Sequence, residues 1–392
     1  MERIYLDNAA TSWPKPEAVY AIVDRYQRQL GAPAGRSAYR EANEVERLVN
    51  DARRRVAQLL HAAEPQRIVF TGNGTDSLNM ALHGVLRPGD HVIGSVAEHN
   101  SILRPLQYLH DQRDLQVTLV GCDAAGIVDP DEIRRAIRSN TRLIALIHAS
   151  NVTGALQPVA DVGRLAKDHG VLFLVDAAQS VGHLPVDVDA LNADLLAAPG
   201  HKGLLGPLGT GVLYIRPGVE QQLMPIRQGG TGSRSDSAQQ PAELPDRYES
   251  GNPNVPGILG LGAGAAYLQQ RGVEAICRHE RELTSQLVAR LSEIPGVTVY
   301  GPRDLAPRVG VVSISVAGYD PQELAMLLDA ACGIQVRAGL HCAGRMHRAL
   351  GTAEGGGTIR FSLGPFTILE HIVAAAEAVE QACGPNPRER LP

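Results

Sequence analysis

What most restricts the fold of this chain is a rhythm sustained over its first two-thirds: short apolar, β-rich runs separated by stretches with helical spacing. Residues 67–70, 91–94, 116–120, 143–147 and 171–175 read as strands buried on both faces. Between them, residues 76–86, 131–139 and 159–169 carry helical spacing and end in or near Gly or Asn. Strand, helix, strand at this rhythm predicts an α/β fold, a mostly parallel sheet with helices on both faces. Ligands of such sheets bind in the crevice beyond the carboxyl ends of the strands, so chemistry is expected just after each strand.

From 228 to 256 the rhythm lapses into a long loop whose Gly and mixed charges point to function rather than to a passive linker. Helices are then expected at 258–271 and 272–294, strands at 297–300 and 311–316, and a helix at 321–331. A strand near 333–337, a loop to 357, a strand at 358–363 and a helix at 367–383 complete a smaller α+β unit. The expected division is a large domain over 15–256 and a small one made of 1–14 and 257–392, with a frayed tail at 384–392.

At 392 residues, 44% hydrophobic and 20% charged, the chain can bury a large core, which rules out a disordered or fibrous class. Its formal charge of −5, with basic residues scattered, makes nucleic acid a poor partner. No apolar run approaches the roughly 18–20 residues of a membrane span, and the N-terminus lacks the apolar core of a signal peptide. A cytoplasmic protein is expected. The five cysteines form no CxxC pair, so reduced thiols are expected rather than a metal knuckle or a disulfide framework.

The strand at 171–175 ends in Asp176, which alone would be a cap or turn former. Its company changes the reading. Lys202 follows in the Gly-rich Gly200-His201-Lys202-Gly203, and GxxxxGK[ST] is absent, so a nucleotide clamp fails. A Schiff-base lysine opposite a carboxylate that pairs with a pyridinium nitrogen is what pyridoxal phosphate needs to act as an electron sink. Phe70-Thr71-Gly72-Asn73-Gly74-Thr75-Asp76 follows a strand and opens a helix, so free N–H groups near Gly74 and Thr75 would meet a phosphate; an N-cap without ligand is the alternative. His99 follows another strand, where an imidazole can stack on a pyridine ring or simply hydrogen-bond its loop.

This ordered set resembles the class V aminotransferase family of fold-type I pyridoxal phosphate enzymes, and within it the group II cysteine desulfurases and selenocysteine lyases. The resemblance runs from Tyr5-Leu6-Asp7-Asn8-Ala9-Ala10-Thr11 to Ile359-Arg360-Phe361-Ser362 and includes Arg337-Ala338-Gly339-Leu340-His341-Cys342-Ala343. It implies Lys202 as the cofactor lysine, Asp176 at the pyridinium nitrogen, Gln179 and Asn151 near the ring hydroxyl, and His99 stacked on the ring. It further implies Gly74, Thr75 and His201 at the phosphate, Arg360, with Asn151, at the substrate, and Cys342 as sulfur acceptor. The implied reaction converts L-cysteine, or L-selenocysteine, to L-alanine. A persulfide on Cys342 then passes to an acceptor protein or reductant, as in iron–sulfur cluster assembly. Only a thiolate attacks sulfur well, so His341 or a proton transfer from substrate is expected to supply the ionised form. A homodimer with shared active sites is also implied, Asn252 reaching the partner's phosphate.

Three positions depart from the family pattern: Pro199 replaces a hydroxyl residue, Asn252 a threonine and Tyr39 a histidine. Gly260-Leu261-Gly262-Ala263-Gly264 has no preceding strand, so close helix packing is favoured over a dinucleotide fingerprint. His341, Cys342 and His347 lack a fourth metal ligand at suitable spacing. Two other classes remain open: an aminotransferase or lyase acting on another amino acid with Cys342 incidental, and a non-catalytic scaffold, against which Lys202 and Asp176 argue.

Overall fold

The computed structural model describes residues 3–35, 37–233, 236–303 and 308–383; the expected frayed tail lies outside them. The strands are β1 (Ile4–Tyr5), β2 (Ile68–Thr71), β3 (His91–Ser95), β4 (Gln116–Val120), β5 (Thr141–Ile147), β6 (Leu172–Asp176), β7 (Leu195–Pro199) and β8 (Gly211–Ile215). They continue with β9 (Val297–Tyr300), β10 (Val311–Val316), β11 (Ile334–Gln335), β12 (Arg337–Gly339) and β13 (Thr358–Ser362).

Strands apolar on both faces need cover on both faces, and the large sheet has it. Its order is β2-β8-β7-β6-β5-β3-β4. Ile144, Leu146, Phe173, Val175 and Leu196 meet Val45, Val56 and Val162 on one side. Leu143, Ala145, Leu172, Leu174 and Leu195, one residue out of phase, meet Leu78, Leu82, Ile102 and Leu106 on the other. The pairings β3–β4, β3–β5, β5–β6 and β6–β7 are parallel, while β8 runs antiparallel to both β7 and β2. The α/β reading therefore holds.

β7 was not legible as a strand, because Ala197-Ala198-Pro199 has little β character and a Gly-rich segment follows; β8, with Val212, Tyr214 and Ile215, carries a β-rich run that the sequence reading passed over. The short return between them makes the antiparallel reversal possible, since no crossover helix fits there. It also carries Lys202. A second difference is β4, expected to be buried on both faces. It lies at the sheet edge, and Gln116 to Leu119 are exposed or half-buried because no strand flanks their outer side.

The second sheet is antiparallel, in the order β12-β13-β10-β9. The single strand expected near 333–337 is two: β11 pairs in parallel with β1, and β12 joins β13. Through that pairing the N-terminal segment meets the second core, where Leu6 packs with Ile314, Leu324, Ile334 and Phe361. Helix Val255–Arg271 straddles the expected junction at 256–257, and its Leu259, Leu261 and Leu268 join the core under the large sheet. Gly262 lies where a Cβ would come within 2.6 Å of Ala52 Cβ, so its small size permits helix–helix approach. Among the described residues no helix is long and apolar enough to cross a membrane.

Candidate active site

A cavity of about 530 Å³ opens at the carboxyl ends of β5, β6 and β7, where the sheet geometry leads one to look. Its walls hold Gly74, Thr75, His99, Asn151, Asp176, Gln179, His201, Lys202 and Arg360. Those nine residues come from six separate segments of sequence, and folding brings them together. Two expected site residues stand apart. Cys342 lines a second, adjoining cavity, and Asn252 is an exposed loop residue outside both.

Asp176 ends β6 and is buried, with Oδ1 accepting the Ala178 N–H at 3.0 Å. Burial raises its pKa, opposed by that hydrogen bond and by the charge of Lys202. Lys202 sits in the turn after β7. Burial lowers its pKa to about 8 against the pull of Asp176, with Arg360 and Arg337 adding to the depression. A lysine so placed has a substantial fraction of free amine near neutrality, the form that attacks a carbonyl.

Around this pair the polar groups are only partly satisfied. Asn151 donates from Nδ2 to the His341 carbonyl at 2.6 Å, but its Oδ1 is buried without a partner. His201 Nδ1 and Arg360 Nε are likewise buried and unpartnered. Gln179 spends its Nε2 on the Ala9 carbonyl at 3.0 Å. Orphaned buried polar atoms are costly, and their convergence on one cavity marks it as built for a polar occupant.

The anion-binding end is helix Gly74–Val85. Asn73 caps it, Oδ1 accepting from Asp76 N at 2.9 Å, which leaves the Gly74 and Thr75 N–H groups without an intrahelical acceptor. A Cβ at Gly74 would lie 3.1 Å from Pro199 Cδ, so glycine lets the helix start pack against the end of β7. Pro199, which cannot donate, thus serves as a wall. Thr75 Oγ1 and Ser101 Oγ lie 2.7 Å apart.

His99 caps helix Asn100–Arg113, its Nδ1 accepting from the Ser101 N–H at 3.0 Å. Burial, then the charges of Lys202, Arg337, Arg360 and Arg104, lower its pKa to about 4. The ring is therefore neutral at neutral pH, with its proton on Nε2. The preceding residue, buried Glu98, accepts from Ser95 Oγ at 2.5 Å, and burial raises its pKa to about 8.

Arg360 lies on β13 in the second sheet. Its Nη2 donates to Asp7 Oδ1 at 2.8 Å and its Nη1 to the Asn151 carbonyl at 3.1 Å. Burial lowers its pKa, opposed by Asp7. Asp7, which sequence reasoning did not single out as functional, orients the guanidinium.

The Cys342 loop is unlike the rest. His341 and Cys342 both adopt left-handed backbone, with φ of 47° and 58°. His341 was expected to help ionise the thiol, but its Nε2 is engaged with Thr358 Oγ1 at 3.0 Å and its Nδ1 is buried without a partner. Burial holds it neutral, far below the usual histidine range. The group beside the sulfur is Arg337, whose Nη2 donates to Sγ at 3.6 Å. Its signal was present in the sequence as a flanking arginine, yet only the fold shows that it faces the thiol.

Three comparisons bear on this site. The model of the aminotransferase class-V family matches residues 4–374. The chain is similar to a probable cysteine desulfurase of Methanothermobacter thermautotrophicus, 38% identical over 388 residues that cover 98% of this chain and 95% of the relative. Among solved structures it is similar to the apo cysteine desulfurase of Thermococcus onnurineus NA1, with TM-score 0.91, 36% identity, and coverage of 97% of this chain and 94% of that one. A second solved relative is a cysteine desulfurase of Escherichia coli, with TM-score 0.87, 31% identity and coverage of 97% and 94%.

Proposed function

The chain belongs to the aminotransferase class-V family and is an enzyme of the cysteine desulfurase type; from that premise we propose that it converts L-cysteine to L-alanine, with pyridoxal 5′-phosphate on Lys202 and the sulfur received by Cys342. The observation that carries the reading is the convergence of Lys202, Asp176 and three unpartnered buried polar atoms on one cavity, with the Cys342 loop beside it.

The residues present fit the cofactor. Lys202 would hold its aldehyde carbon, Asp176 its ring nitrogen, and Gln179 and Asn151 its ring hydroxyl; His99 would lie on the ring face. Thr75, His201 and the N–H groups of Gly74 and Thr75 would hold the phosphate. When bound, the cofactor supplies an aldehyde that condenses with amines and a ring that stores the electron pair of an amino acid's α-carbon. The chain's own groups do the rest. Lys202 Nζ takes the α-proton and returns one to carbon, and buried Asp176 keeps a neighbouring positive charge in place. Arg360, aimed by Asp7, presents a guanidinium to the substrate carboxylate. Cys342 Sγ, with Arg337 Nη2 3.6 Å away, attacks the substrate sulfur as thiolate and the carbon–sulfur bond breaks.

The proposal extends to the large domain at 15–256 with the small domain at 1–14 and 257–392, helix Val255–Arg271 serving as their joint. It also extends to a cytoplasmic homodimer in which Asn252 completes the partner's phosphate site, and to a sulfur acceptor of the kind that feeds iron–sulfur cluster assembly. A visible spectrum of the purified protein, followed by alanine and sulfide assays with L-cysteine, tests the core of it. With excess dithiothreitol present to reduce the persulfide, absorbance near that of a lysine-bound cofactor and equimolar alanine and sulfide are expected; alanine without sulfide under that reductant, or a keto acid, would overturn it.

A further inference from the structure

The second cavity, of about 450 Å³, lies between helices Gly74–Val85 and Asn100–Arg113 and shares Thr75, His99 and Ser101 with the Lys202 cavity. Cys342 lines this outer cavity and not the inner one. Cys342 therefore faces the outer chamber, where an occupant meets its sulfur at a wall that is separate from Lys202 and Asp176. No carboxylate lines the outer chamber, and its one formally charged side chain is Arg104. Among the described residues Arg104 makes no hydrogen bond or ion pair, and it lies close enough to His99 to bear on that ring's titration. His83 and Tyr108, with ring centroids 6.0 Å apart, form part of its wall. The volume suits a small molecule. An unpaired guanidinium in a chamber without an acid is complementary to an anion.

We propose that the outer chamber is the binding site of a small thiol acceptor carrying an anionic group, with Arg104 holding that group while the thiol reaches the persulfide on Cys342. The inference rests on the desulfurase reading and adds the chemical class of the second substrate. In the transfer the acceptor sulfur attacks the terminal sulfur of Cys342–S–S⁻. A new sulfur–sulfur bond forms, the Cys342 bond to the terminal sulfur breaks, and the acceptor's proton moves to that terminal sulfur. The products are R–S–SH and the Cys342 thiolate, with no external oxidant or reductant.

The test loads the holoenzyme with persulfide by a brief pulse of L-cysteine, removes the amino acid, and follows discharge by mass spectrometry. The probes are 2-mercaptoethanesulfonate and neutral 2-mercaptoethanol. Discharge by the sulfonate should saturate and should fall roughly five-fold in Arg104→Gln, the contact being solvent-screened, with Arg104→Lys retaining most of it. Discharge by mercaptoethanol should be the same in all three proteins, and the sulfonate's advantage should shrink at high salt. Equal discharge by both thiols in the wild type, or an equal loss for both in Arg104→Gln, would overturn the proposal while leaving the desulfurase intact. Discharge by a protein acceptor and by neither small thiol would also overturn it. Failure to form any persulfide on Cys342 would remove both the function and this inference.

Discussion

The proposed cofactor side and the proposed sulfur side of the site are built by opposite means. Asp176 ends one strand of the large sheet, and Lys202, His99 and the Gly74 helix start follow within a short turn of other strand ends; that sheet is buried on both faces. Their positions follow from the sheet, because a strand end is fixed by its neighbours on either side. Cys342 instead sits on a loop beside the second sheet, in left-handed backbone, held toward the large sheet's elements by the bond from Asn100 N to the Cys342 carbonyl at 2.8 Å. Asn151 does the same for His341. The difference teaches that the groups proposed to hold the cofactor are anchored in the core, whereas the thiol proposed to carry sulfur rides on a loop tied at a few points.

If that comparison is right, breaking the cofactor side should cost more than breaking the sulfur side. The largest effect is expected from Lys202→Ala, which should lower alanine formation by about 10⁴-fold because one residue serves as attachment point and proton carrier. Borohydride reduction and peptide mapping of the wild type should label Lys202; a label on Lys15 or Lys167 would end the assignment. Next in size is Asp176→Asn, which keeps the shape and removes the charge. It should reduce turnover by about 10³-fold while the protein still retains cofactor. Unchanged turnover in a fully loaded variant would reject the role.

The same contrast explains what the sequence disclosed. The parallel sheet, the strand ends and the order of Asp176 and Lys202 were readable because apolar runs and turn residues have local causes. β7 was not, since Ala197-Ala198-Pro199 becomes strand only through its neighbours β6 and β8. Asp7 acts on Arg360 across nearly the whole chain, at a separation of 353 residues, and no local pattern announces such a contact. Arg337 and His341 flank Cys342 equally well in sequence; burial decides between them, leaving His341 neutral and Arg337 beside the sulfur. The two-chamber arrangement brings residues 75–83, 99–108 and Cys342 together from distant parts of the chain, and no local pattern encodes it.

On the sulfur side, Cys342→Ser should bind cofactor and L-cysteine as the wild type does, because no residue of the inner cavity is changed. Alanine formation should fall by about a hundred-fold, a hydroxyl being scarcely ionised at neutral pH and a poor nucleophile toward sulfur. A mass spectrum after brief exposure to L-cysteine should show added sulfur on the Cys342 peptide of the wild type and none in the variant. Full activity in the variant would make the thiol incidental and dissolve the contrast between the two sides.

The smallest effect sharpens the comparison by titrating its buried half. Burial lowers the Lys202 pKa from 10.5 to about 8, and only the neutral amine attacks an aldehyde. The rate at which apoprotein takes up pyridoxal 5′-phosphate should therefore rise about ten-fold between pH 7 and pH 9, most of it below pH 8, and then level off. An unperturbed lysine would give a rise of about a hundred-fold over the same interval with no plateau. Stability should move in a defined direction too. Between pH 8 and 10.5 the unfolded chain keeps a proton on this lysine that the folded chain has released, so Lys202's contribution to folding stability increases with pH across that window. Comparing apoprotein melting with that of Lys202→Met isolates this contribution, since the variant lacks the titrating amine. A wild-type advantage that grew as pH fell through 8, or an uptake rate still climbing ten-fold per unit at pH 9, would show that the amine is not held in the buried setting that distinguishes it from Cys342.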